Sequence, residues 1–228
     1  KKSLKEVHPL SKAFLGQFSI ENPEVLENYK KLLGVSRELT NQELEEGFDE
    51  GAFAEALIEE LKKIQRGRSA ADAFHKFMVG TIEFLFYPDL IYPEIEDEIN
   101  EGRKRIDIVY TNSACGGFFF NRRSEARTSA SRIIVECKNY QKEIENPELD
   151  QIAGRFAPTR GRLGLLIGRS FDNREKFIAR CRDSAREDRG YVIALVDDDV
   201  IEMLEAIKTG KRSQINRILE QRFSELLK

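Results

Sequence analysis

Apolar residues return every three to four positions across 70–86, where Phe74, Phe77, Met78, Ile82 and Leu85 fall on one side. That spacing predicts an amphipathic helix with one buried face. Pro88 follows and ends it. The pattern then changes. Segments 90–99, 105–110 and 132–138 have the length and β-branched content of strands. Asn146-Pro147 opens a second helix with Leu149, Ile152, Ala153 and Phe156 on one face. A short apolar strand follows at 163–167, then a helix over 173–189 that stops at Gly190, a strand at 191–196 and two closing helices. Upstream, Asn22-Pro23 and the pair Thr40 and Glu43 mark helix starts before 23–33 and 41–65. Gly67-Arg68-Ser69 breaks the pattern. The expected division is therefore a helical arm over 1–68 and a domain over 69–228.

From residue 70 the order is helix, three strands, helix, strand, helix, strand, helix. Three strands with short links form an antiparallel meander, and strands reached through helices add in parallel by right-handed crossover. The expected class is α/β, a mixed sheet with helices on both faces.

Composition narrows the picture. The chain has 228 residues, 40% hydrophobic and 34% charged, with a net charge of −3. That suffices for a sizeable core and gives no global basic signature. Apolar runs reach strand length only, so no membrane span or secretory leader is expected. The chain begins Lys1-Lys2 rather than Met, which fits a fragment of something longer. Cys115, Cys137 and Cys181 form no C-x-x-C pair, and only His8 and His75 accompany them. Reduced thiols in a cytoplasmic protein are expected, not a zinc site. Charge is uneven along the chain. Segment 21–60 holds twelve acidic residues against three basic, net −9, and 155–182 holds eight basic against two acidic, net +6. An acidic arm and a basic body suit a protein that turns one face to a polyanion. Two ordinary solvated surfaces are an equal reading.

The chemistry concentrates at one place. In Ile133-Ile134-Val135-Glu136-Cys137-Lys138 the strand period of two sends Glu136 and Lys138 to the same side. They are about 7 Å apart along the strand. Both are charges at the end of an apolar run, where burial is costly unless they are paired or bound to metal. Asp107 is likewise a lone carboxylate in the apolar run 105–110. Paired strands would bring Asp107 toward Glu136, and two close carboxylates need a proton or a cation between them. A hard divalent ion such as Mg²⁺ prefers oxygen ligands and also takes phosphate oxygens.

This arrangement, Asp107 followed by Glu136-Cys137-Lys138, resembles the PD-(D/E)xK or restriction-endonuclease-like nucleases, nearest in pattern to Mrr-type restriction enzymes. The resemblance spans roughly 70–205 as an order of elements. It implies a restriction-endonuclease-like sheet with an N-terminal helical arm. It also implies metal ligation by Asp107, Glu136, the backbone carbonyl of Cys137 and Glu83 of the first helix, with Lys138 and Gln151 completing the catalytic set. Arg155 follows Gln151 by one turn. The implied cofactor is Mg²⁺, with Mn²⁺ as a substitute. The implied activity is endonucleolytic hydrolysis of DNA, as the effector of a restriction or phage-defence system. Homodimers are a habit of the family, and the acidic helices of 1–68 are a candidate site for a partner protein. The alternative is a catalytically silent nucleic-acid-binding or protein-interaction module on the same fold. Ile106 stands where the family name has Pro, and an insertion at 113–131 lengthens the stretch between Asp107 and Glu136. That insertion, with Phe118-Phe119-Phe120 and Arg122-Arg123, is either an arm reaching a nucleic-acid groove or a hairpin whose phenylalanines pack on a partner subunit. The second reading is favoured. Asp197-Asp198-Asp199 end a strand and cap the next helix.

Overall fold

The computed structural model describes residues 49–95, 108–142, 144 and 146–228. Five strands form one sheet in the order β1-β2-β3-β4-β5. They are β1 (Leu90–Ile95), β2 (Ile108–Asn112), β3 (Arg132–Cys137), β4 (Leu163–Ile167) and β5 (Tyr191–Leu195). The first two pairings are antiparallel and the last two parallel. This is the expected meander with two parallel additions. β3 and β4 are the most enclosed strands, buried at all but one of their positions, as expected of strands covered on both faces.

Helices flank the sheet. They are α1 (Glu50–Lys63), α2 (Ala71–Phe86), α3 (Gly117–Ser124), α4 (Asn146–Ala153), α5 (Arg174–Arg186), α6 (Asp197–Lys208) and α7 (Gln214–Ser224). The chain is thus α/β, a five-stranded mixed sheet flanked by helices. Among the described residues no helix is long and apolar enough to cross a membrane.

The strand period sorts side chains between two faces. Ile134 and Glu136 share one with Gly164 and Leu166, their partners on β4. The crossover helix α4 covers that face so closely that a Cβ on Gly164 would meet Ile152 Cδ1 at 2.7 Å and the Ile134 carbonyl oxygen at 3.1 Å. Glycine is required there by proximity rather than by φ. The other face carries Ile133, Val135 and Cys137, with Tyr110 opposite Ile133. Helix α2 covers it, and the Tyr110 hydroxyl donates to the Val79 carbonyl at 3.3 Å.

Contacts divide the chain into Lys1–Asp49 and Glu50–Lys228. Helix α1, counted above with the N-terminal arm, belongs to the second unit. Its buried residues Ala54, Ile58 and Leu61 pack toward α6 and α2. The expected helices over 23–33 and the first part of 41–65 lie outside the described residues. So does 96–107, into which the expected strands 90–99 and 105–110 run. The described part of β2 continues two residues past its expected end, to Asn112.

The insertion at 113–131 corrects an expectation. It is not a hairpin reaching toward a partner subunit; it folds back on its own domain as α3. Phe118 and Phe119 are buried within the chain's own core. They stack edge-on with each other at 5.2 Å and reach Phe223 and Phe86. Three phenylalanines in a row match no single period, so only burial distinguishes them: Phe120 alone is exposed. Two asparagines organise the segment. The Asn112 amide donates to the Phe119 and Ala130 carbonyls at 2.9 and 2.8 Å. Asn216 of α7 accepts from the Phe118 N–H at 2.8 Å, supplying the first-turn acceptor that α3 lacks. Gly117, at φ +71°, sits where any Cβ would fall 2.6 Å from that Asn216 oxygen.

Candidate functional site

Glu136 has no exposed surface and Lys138 has 1%. Both stand at the C-terminal end of β3 on the face that α4 covers. The Lys138 ammonium donates to Glu136 Oε1. It also lies 3.3 Å from Gln151 Oε1 on α4. One turn beyond Gln151, Arg155 Nη1 reaches Glu136 Oε2 at 3.4 Å. The Arg155 side chain is 22% exposed, so it marks the way from solvent to the buried pair. Glu136 therefore sits between two cations, with the Gln151 amide presented from α4 and the Arg155 guanidinium from the turn that follows its last residue, Ala153. Glu148 in the first turn of α4 accepts from the Tyr140 hydroxyl at 2.9 Å. That bond ties the helix to the chain leaving β3.

Of the residues singled out in the sequence, Glu136, Lys138, Gln151 and Arg155 are brought together. Cys137 faces the other way, and burial pushes its thiol up to about 12 against the weaker pull of Lys138. Asp107 lies outside the described residues. It immediately precedes Ile108, which pairs with Val135, the neighbour of Glu136. Glu83 lies on the exposed side of α2. Its charge acts on the Tyr110 hydroxyl, already raised by burial, on the opposite face of the sheet from Glu136. No contact among the described residues joins Glu83 to Glu136.

Among the described residues no group of three or more His, Cys, Asp or Glu side chains could hold a metal ion. Glu136 is a hard oxygen donor of the right type, and its described side-chain partners are cations and not further carboxylates. Of the expected ligands, the described residues at the end of β3 supply Glu136 and the Cys137 backbone. Asp197 and Asp199 are absorbed structurally, as expected of them, and Asp198 is exposed. Asp199 Oδ2 accepts from the Val196 N–H at 2.9 Å at the start of α6, and Asp197 pairs with Arg169.

Sequence reading missed a cluster immediately behind the pair. Asn139 follows Lys138, points to the opposite side, and is 5% exposed. Its amide donates to the Gln65 and Gly67 carbonyls at 3.0 and 2.9 Å. Its oxygen accepts from Arg169 Nη1 at 2.9 Å. In the sequence Arg169 is one of the basic residues of 155–182. Its one sequence signal was a charge following the apolar run 163–167.

Comparison with protein-family models, with curated proteins and with solved structures gives no match. The resemblance stated above rests on the residues themselves.

Proposed function

We propose that the chain is a metal-dependent endonuclease that hydrolyses phosphodiester bonds of DNA. One observation supports this reading above others. A carboxylate and an ammonium, each almost without exposed surface, end a central strand and converge with Gln151 and Arg155. Buried charge of this kind is expensive for a fold and concentrates where chemistry uses it. Asp107, Glu136 and the Cys137 carbonyl are the proposed ligands for Mg²⁺ or Mn²⁺. A bound divalent ion would supply Lewis-acid stabilisation of charge on the phosphate. The protein's own residues do the rest. Lys138 offers a compact positive charge to the attacking water or the phosphoryl oxygens. Gln151 orients Lys138, and Arg155 at the mouth offers a planar donor fork to a phosphate. DNA as substrate, and a place in a restriction or phage-defence system, follow from the resemblance.

A second reading has its own support. Glu136 is already engaged by two cations, as in a structural ion-pair network of a silent binding module. The deciding experiment is cleavage of supercoiled plasmid in Mg²⁺, Mn²⁺, Ca²⁺ or EDTA. The native chain is compared with Lys138→Ala, Glu136→Ala and Asp107→Ala. Nicking that requires Mg²⁺ or Mn²⁺ and is lost in all three variants establishes the nuclease. DNA retention without cleavage in any metal favours the silent module.

A further inference from the structure

Lys138 lies one residue past the last ladder position of β3. Its N–H still donates to the Ile167 carbonyl at 2.8 Å, but the strand ends there. The next residue is held instead by a dense set of bonds on the opposite face. The Asn139 carbonyl accepts from the Gly67 N–H at 2.9 Å. Its side chain spans the Gln65 and Gly67 carbonyls and the Arg169 guanidinium. Arg169 is fixed in turn. It is 5% exposed, and Nε donates to both Asp197 oxygens at 3.1 and 2.9 Å. Its Nη1 and Nη2 donate to the Ile64 and Leu61 carbonyls at 3.0 and 3.3 Å. Its Cζ lies 4.8 Å from the Phe74 ring centre.

We infer that Asn139, backed by Arg169, is a positioning residue for Lys138. The two neighbours have separate partners, Glu136 and Gln151 for Lys138, the 65–67 turn and Arg169 for Asn139. Asn139 therefore cannot share the space of Lys138, Gln151 and Arg155; it acts through the backbone it shares with Lys138. The Asn139 carbonyl, side-chain amide and side-chain oxygen are all engaged, three bonds going to the 65–67 turn and one to Arg169, two residues past β4. A buried ammonium presented from a strand terminus needs such an anchor, since small displacements of a reacting group are costly. The effect on rate rests on the nuclease reading; the effect on the Lys138 side chain rests on the geometry alone.

The test uses the full chain and two readouts, the ¹⁵N resonance of the Lys138 ammonium, assigned by its loss in Lys138→Ala, and Mg²⁺-dependent plasmid cleavage. Asn139→Ala is expected to shift or broaden that resonance and to lower cleavage by about tenfold to a hundredfold. DNA affinity in Ca²⁺ should stay within about twofold of native, because the clamp lies away from the mouth. Arg169→Lys, which keeps the charge but loses the fork, should move both in the same direction and covers the case in which Asn139→Ala does not fold. Tyr110→Phe, a control on the same face, should move neither. An unaltered ammonium resonance and rate in folded Asn139→Ala overturn the inference. Absence of cleavage by the native chain counts against the nuclease reading, and the ammonium comparison then decides the inference by itself.

Discussion

A carboxylate without exposed surface, set between Lys138 and the partly exposed Arg155, has a thermodynamic signature. Removing one member of a buried pair strands the other in a poor solvent, a loss of about 3–5 kcal/mol, whereas replacing both by apolar groups is close to neutral. Lys138→Met is expected to destabilise the chain by about 3 kcal/mol. The double variant Glu136→Gln/Lys138→Met should recover most of that loss in urea unfolding. Losses that simply add would show that the two charges do not depend on each other. The cysteines give a second residue-scale expectation. Burial raises Cys137 and Cys181 from 9.0 to about 12, while Cys115 is exposed. Native protein should react with a thiol reagent at one site, and unfolded protein at three. Above pH 9 the unfolded thiols ionise and the folded ones do not, so the unfolded state releases protons and stability falls as pH rises toward 12. Each buried thiol contributes a slope of up to about 1.4 kcal/mol per pH unit. Cys137→Ala should flatten the decline between about pH 9 and pH 10; an unchanged slope would refute the assignment.

At the scale of elements, α4 reaches the site only because β4 is narrow where they meet. Gly164→Ala would press a methyl onto Ile152 Cδ1 and the Ile134 carbonyl, moving the helix that carries Gln151 and leads into Arg155. A loss of about 1–3 kcal/mol is expected from such overpacking. Ile152→Val, which removes the clashing methyl, should restore part of it in the double variant; no recovery would mean that the strain lies at the carbonyl alone. The site's core was legible because period-two alternation is strict, so Glu136 and Lys138 could be placed on one face from sequence. Gln151 was legible from its place early in the helix, whereas Arg155, expected one helical turn on, reaches Glu136 from the turn after Ala153. Asn139 and Arg169 were not legible, because their partners are the carbonyls of Leu61, Ile64, Gln65 and Gly67, about a hundred positions away for Arg169. Any residue supplies a carbonyl, so such partners leave no trace in composition. The insertion was misread for a related reason. Phe118 and Phe119 are buried by α7 and α2, and a local pattern cannot reveal which distant surface will cover it.

Over the whole molecule, charge along the chain and charge on the surface part company. The basic run 155–182 suggested one polyanion-facing side. Arg169 is interior with Asp197, and Arg174 joins the buried Asp199. Arg162 pairs with Asp188, Arg155 with Glu136, and Arg182 donates to the Glu225 carbonyl. Much of the run is thus spent joining β4, α5, α6 and α7. The division of the chain shifts in the same way. Helix α1 buries Ile58 and Leu61, worth about 1.5–3 kcal/mol each. Its Leu61 and the next residue past its end, Ile64, provide carbonyl acceptors for Arg169, and the turn that follows provides those of Asn139. A total stability of about 5–15 kcal/mol does not survive the loss of both sets. A chain starting at Glu50 is therefore expected to unfold cooperatively on heating, with native-like helix content by circular dichroism. A chain starting at residue 69, at the break suggested by Gly67-Arg68-Ser69, should be largely unfolded. Equal melting temperatures for the two would show that α1 is an appendage after all. Unequal ones would mean that any test of the N-terminal segment as a recruiting arm must cut before Glu50, since a cut at 68 removes the support of Lys138 together with the arm.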